Sequence, residues 1–204
     1  MSTVVAIATG IANLASVTAA FGRVGVALLA STDPELVRRA EAVVLPGVGD
    51  FAAGAAALAR HGLDEPLRER LQRGRPTLAI CLGMQLCLEA SDEAPGCPGL
   101  GVVAGTATRF PPPTRCPQMG WNRIRTLGNG LLRDDHVWFA NSYRLCTPPA
   151  DWQCAIADHG GPFVAGLARD AQLLCQFHPE LSGAGGHTLL HRWLQAACVP
   201  EAAC

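Results

Sequence analysis

Through the first half of the chain, short apolar runs alternate with segments of helical spacing, and that alternation narrows the possible folds more than any other feature. The runs "VVAIA" (Val4 to Ala8), "VALLA" (Val26 to Ala30), "AVVLP" (Ala42 to Pro46) and "TLAI" (Thr77 to Ile80) are continuously apolar, as strands buried on both faces must be. Helices are expected between them. Asp33 followed by Pro34 reads as a cap and first turn, "FAAGAAALAR" as a helix, and "EPLRERLQRG" as a helix closing on Gly74. From about Gly96 the texture changes to Pro, Gly, Trp and alternating stretches such as "HVWFANSYRL" and "QCAIADHGG", which suit antiparallel or mixed additions to the sheet. "PFVAGLARDAQLLCQFHP" reads as two strands turning near Asp170, and "GGHTLLHRWLQAAC" as a final helix with Leu189, Leu190, Trp193 and Leu194 on one stripe. The expectation is an α/β fold with a central, mostly parallel sheet, forming a single domain over residues 1–204.

Composition removes several classes of function. With 49% hydrophobic and 16% charged residues, 204 residues can bury one full core. All 16 basic residues are Arg, which excludes a Lys Schiff base and a Walker loop with its phosphate-reaching Lys. A formal net charge of -1 offers no broad basic field, so no nucleic-acid partner is expected. The nine cysteines are odd in number and include no CxxC pair, which favours a reducing, cytoplasmic setting over a disulfide scaffold. The uncharged N-terminal stretch lacks the Arg or Lys that a signal peptide needs ahead of its apolar core, and "VVAIATG" closes on a Gly turn; it reads as strand and helix. No apolar run approaches the ~18 residues of a membrane span.

The stretch "PTLAICLGMQLCLEAS" carries the chemistry. A buried strand runs into Cys81 and then into a helix with only Leu82 and Gly83 between, so the thiol stands on a strand-to-helix elbow. Such a turn needs small residues two before and two after the nucleophile, and Ala79 and Gly83 meet that need. At a helix N-terminus, free amides and the macrodipole favour thiolate. A Cys after an apolar strand is otherwise a small buried hydrophobe, so the reading depends on a base. "CQFHPEL" supplies it: His178 ends an apolar strand, Pro179 keeps the chain extended, and Glu180 projects to the same side. A carboxylate there fixes the imidazole tautomer and leaves the other nitrogen for the thiol. The turn "VVLPGVGDF" adds backbone amides that can meet an oxyanion, a contact worth about 2.7–4 kcal/mol in acyl transfer.

In this order, "LPGVGDF", "AICLGMQL" and "FHPE" resemble the three signature segments of class I glutamine amidotransferases. "ANLASV", "GLG" with a following "RF", "QMGWN" and "SY" are similar to the branch that serves imidazole glycerol phosphate synthase in histidine biosynthesis. The resemblance spans nearly the whole chain. It implies a three-layer, flavodoxin-like fold and a glutaminase that needs no cofactor or metal, with Cys81, His178 and Glu180 as the triad. It implies an oxyanion site at Val48, Gly49 and Leu82, and a clasp for the α-amino and α-carboxylate groups of glutamine at Gln85, Glu93, Ser142 and Tyr143. It also implies a heterodimer with a (β/α)8-barrel cyclase that receives the ammonia. Four departures from the family pattern, Ala8 and Thr9 for an Asp-Tyr pair, Asn141 for a His and Leu181 for a Lys, fall on segments that the resemblance implies face the cyclase. A fifth, Ala79 for a Gly, falls on the elbow. None removes a triad member.

Other features carry less. His187 and His191 lie four apart on the last helix without a third metal ligand. Cys97, Cys116, Cys146 and Cys154 lack metal-ligand spacing. "RERLQRGR" reads as a solvated helix face. Trp121 and Trp138 suit either a core or a partner surface.

Overall fold

The computed structural model describes residues 3–197. Its parallel half contains β1 (Val4–Ile7), α1 (Leu14–Arg23), β2 (Leu28–Ser31), α2 (Pro34–Arg39), β3 (Ala42–Gly47), α3 (Phe51–Arg60), α4 (Asp64–Gln72), β4 (Thr77–Cys81) and α5 (Leu82–Leu86). Strands β1, β3 and β4 are buried along their whole length, as their unbroken apolar runs require. Helix starts follow the capping chemistry: Asp33 accepts from the Glu35 N–H at 2.9 Å and Asp50 from the Ala53 N–H at 2.8 Å.

The second half contributes β5 (Leu88–Ser91), β6 (Val103–Arg109), β7 (Gln118–Thr126), β8 (Asp135–Asn141), β9 (Tyr143–Arg144), β10 (Gln153–Asp158), β11 (Pro162–Arg169) and β12 (Gln172–Cys175), then a 3-10 turn (Pro179–Leu181) and α6 (Gly183–Ala196). Nine strands form one sheet in the order β2-β1-β3-β4-β12-β11-β10-β7-β8. Pairing is parallel from β2 through β12 and antiparallel from β12 to β8. Core side chains fill both faces. One layer includes Phe21, Phe139, Phe163, Phe177 and Trp193; the other includes Phe51, Leu58, Leu63, Leu67 and Leu71.

Several element boundaries differ from expectation. Among them, β12 ends at Cys175 rather than at His178, and Pro179–Leu181 forms a 3-10 turn rather than an extended step, with Pro179 as its first residue. Strand β2 begins at Leu28 rather than Val26, because the Val26 N–H is taken by the Phe21 carbonyl in closing α1. The helix after Cys81 starts at once with Leu82 and ends at Leu86. Its next residues leave to form β5, which pairs in parallel with β6. The sequence pattern of the final helix extends to Cys198, which lies outside the described residues. Leu189, Leu190, Trp193 and Leu194 do form its buried stripe.

No helix among the described residues is long and apolar enough to cross a membrane. His187 accepts a hydrogen bond from Arg23 Nε at 2.7 Å, and no cluster of three or more potential metal ligands occurs among the described residues. Trp121 and Trp138 face each other across β7 and β8 in edge-to-face contact, with centroids 5.9 Å apart. Trp121 remains 55% exposed and so belongs to the surface rather than the core.

Candidate active site

Three adjacent strands bring the candidate residues together. Across β3 and β4, Gly47 lies beside Cys81; across β12 and β4, Cys175 lies beside Ile80. The turn after β3, the end of β4 and the exit from β12 therefore meet at the carboxyl ends of the parallel strands. Open α/β sheets leave their binding crevice on that side.

Cys81 adopts φ 53° and ψ −109°, a conformation that costs a non-glycine residue roughly 1–3 kcal/mol and concentrates at functional sites. Tight packing of α5 on β3 holds it there. A Cβ on Gly83 would collide with the Leu45 carbonyl oxygen, and a Cβ on Gly47 would sit 2.9 Å from that of Leu82. Only glycines let the helix approach so closely. Ala79, two residues before Cys81, is fully buried.

His178 is fixed through its backbone. Its N–H donates to the Trp138 carbonyl at 2.8 Å, while its own carbonyl accepts from Ser182 Oγ at 2.6 Å. The Ser182 hydroxyl also receives the Trp138 N–H at 3.0 Å. On the ring, Nδ1 meets Glu180 Oε1 at 2.8 Å, which leaves Nε2 for the sulfur. Burial disfavours the imidazolium, yet hydrogen bonds to Cys81 and Glu180 and the negative charge on both outweigh it. The His178 pKa is raised to about 10.

A cavity of about 220 Å³ opens in front of this trio, lined by Val48, Gly49, Cys81, Leu82, Gln85, Glu93, Ser142, Tyr143 and His178, together with Ala140 and Asn141. Every expected oxyanion and clasp residue thus borders one space, and Glu180 sits behind the imidazole. Glu93 Oε2 accepts the Phe51 N–H at 3.0 Å. Burial pushes its carboxyl up, against the pull of that N–H. Gln85 Nε2 donates to the Tyr143 carbonyl at 3.3 Å, which also receives Asn141 Nδ2 at 3.0 Å.

The expected oxyanion donors are not equivalent. The Val48 N–H is committed to the Ile11 carbonyl at 2.9 Å, so Val48 contributes wall rather than a free donor in this conformation. Gly49 follows at φ +97°, a turn geometry reserved for glycine. Leu82 is the first residue of α5, where helix N–H groups have no partner within the helix.

Gln176 joins the site without having been singled out by the sequence. Buried at the exit of β12, it places Nε2 3.6 Å from Cys81 Sγ. Its place follows from the register of β12 on β4, where Cys175 lies beside Ile80, and no local spacing signals it. Asn141, a departure from the family pattern, lines the cavity all the same.

Residues 11–196 match the family described as Glutamine amidotransferase class-I. The chain belongs to the class-I glutamine amidotransferase family. The protein called "Imidazole glycerol phosphate synthase subunit HisH" from Symbiobacterium thermophilum is 39% identical over 97% of this chain and 96% of that relative. Its namesake from Thermus thermophilus is 40% identical over 89% of this chain and 91% of that protein. Among solved structures, "Crystal structure of glutamine amidotransferase" aligns with a TM-score of 0.77 at 19% identity, covering 96% of this chain and 99% of the other. A second, "Structure of PurLQS from Thermotoga maritima", aligns at 0.70 and 14% identity, covering 96% of this chain and 99% of the other. These structural likenesses speak to the amidotransferase fold.

Proposed function

We propose that this amidotransferase is the glutaminase subunit of imidazole glycerol phosphate synthase, acting as one domain in the cytoplasm and passing ammonia to a cyclase partner. The observation that carries the chemistry is the Cys81, His178 and Glu180 arrangement at the head of a polar cavity. The pathway rests on the HisH relatives, which match along almost the full chain. Free thiols at Cys87, Cys97, Cys116, Cys146, Cys154 and Cys175 suit a reducing compartment.

In this reading Glu93, Gln85, Ser142 and Tyr143 hold the charged end of glutamine, and one acid among neutral groups suits a zwitterion. The thiolate of Cys81 attacks the side-chain carboxamide, forming a C–S bond and an oxyanion that the Gly49 and Leu82 amides meet. His178 Nε2 gives its proton to the departing nitrogen as the C–N bond breaks, and ammonia leaves. Water then attacks the thioester, His178 takes its proton, and glutamate departs as the C–S bond breaks. Glu180 holds the ring in the tautomer that both transfers require.

The partner surface in this reading lies beside the site. Met119 (69% exposed), Trp121 (55%) and Leu181 (44%) are large apolar side chains in solvent, and Trp121 lies 3.7 Å from where a Cβ on Gly183 would stand, beside the segment that carries the base. A (β/α)8-barrel cyclase is the proposed occupant. The test is glutamate release with and without that cyclase and its nucleotide ligand. Strong stimulation by the liganded cyclase is expected. Absence of stimulation, with activity rising instead beside another synthase, would move the chain to a sister branch.

A further inference from the structure

The side-chain amide of Gln176 has its orientation dictated from outside the catalytic trio. The carbonyl of Tyr143 can only accept, so the group of Gln85 that faces it at 3.3 Å must be Nε2. The same nitrogen faces Gln176 at 2.9 Å, so the atom of Gln176 turned towards it must be Oε1. That leaves Nε2 of Gln176 directed at Cys81 Sγ, 3.6 Å away. The sulfur is thereby cast as acceptor on this side. Its contact with the Ala140 carbonyl is longer, at 3.9 Å.

We infer that Gln176 is a second donor to the Cys81 thiolate, holding it for attack and linking its charge through Gln85 to the cavity wall at Tyr143. This rests on the reading of Cys81 as nucleophile and adds a residue to it. An N–H directed at an anion in a buried site is worth more than one in water. Gln176 is neutral, so it steadies the anion without competing with His178 for a proton. The register of β12 on β4 explains its position: Cys175, the last residue of β12, pairs with Ile80, and the chain continues from these to Gln176 and Cys81. The Gln176 N–H is itself anchored to the Ala165 carbonyl at 2.9 Å.

The test is the pH profile of Cys81 alkylation by iodoacetamide in the full chain, in which sulfur forms a bond to carbon and iodide leaves. The titratable groups that bear on the sulfur are His178, with Glu180 behind it, and across the cavity Glu93 and Tyr143. Gln176→Leu deletes the donor, and Gln176→Glu keeps the shape but turns a carboxylate oxygen to the sulfur. The alkylation midpoint is expected to rise by about one pH unit in Gln176→Leu, and further in Gln176→Glu, with kcat falling about tenfold. If Gln176→Leu does not fold, the Gln176→Glu profile decides. Midpoints unchanged from the wild type, in a protein whose wild-type form releases glutamate, would overturn the inference and leave the nucleophile standing. A wild-type chain that neither releases glutamate nor alkylates at Cys81 would instead overturn the underlying reading.

Discussion

His178 concentrates the electrostatics of the site in one side chain. Its pKa in the folded chain is about 10, above the 6.5 of a free imidazole, so the folded state holds a proton that the unfolded state releases in between. The stabilisation from this pairing is therefore complete below pH 6.5 or so and fades as pH rises towards 10. The wild type should lose thermal stability over that range more steeply than His178→Asn, as followed by Tm against pH; parallel curves would contradict the coupling. Gly83→Ala tests the elbow itself, because the new methyl meets the Leu45 carbonyl and α5 must shift. Destabilisation of about 1–3 kcal/mol is expected in chemical denaturation, with activity falling further than stability. That these residues lie together could be read in part from the sequence, since the elbow at Cys81 is a local pattern. The His-Pro-Glu step was expected to be extended but turns as a 3-10 helix, which still sets Glu180 against the His178 ring. Gln176 was not legible, because its role depends on the register between β12 and β4, which no local spacing encodes.

At the scale of elements, continuous apolar strands and capped helices were readable because their signals are short-range. The fate of the chain after Leu86 was not: "CLEAS" has helical neighbours, but pairing with β6 draws Leu88–Ser91 into a strand. Tertiary hydrogen bonding overrode local propensity there. The five-residue α5 has a further consequence. So short a helix adds little dipole, and on the proposed reading the side chains of His178 and Gln176 steady the sulfur. Helix α3 performs the complementary task on the other side of the cavity, where its start binds Glu93 through the Phe51 N–H and is capped by Asp50. Asp50→Ala should cost about 1 kcal/mol of stability in denaturant titration. It should also raise KM for glutamine, because Glu93 loses the fixed helix end that positions it.

For the whole molecule, the candidate trio stands at the carboxyl ends of the central strands, and Met119 and Trp121 on β7 and Leu181 in the 3-10 turn expose apolar side chains, so that on the proposed reading partner binding and chemistry share a border. The residues Ala8, Thr9, Asn141 and Leu181 leave the trio intact, and Leu181 adds apolar surface. Trp121→Asp should weaken association with the cyclase by about tenfold or more, of the order seen when an aromatic anchor is lost, while basal glutamate release is unchanged. Titration calorimetry against the cyclase would read the first and a coupled glutamate assay the second. Turnover as proposed depends on an acyl-enzyme at one sulfur. Acid quenching of the protein during turnover with glutamine, followed by peptide mass analysis, should find a glutamyl group on Cys81 and none in Cys81→Ala, which should release no glutamate; glutamate release by that variant, or the group on a different cysteine, would contradict it.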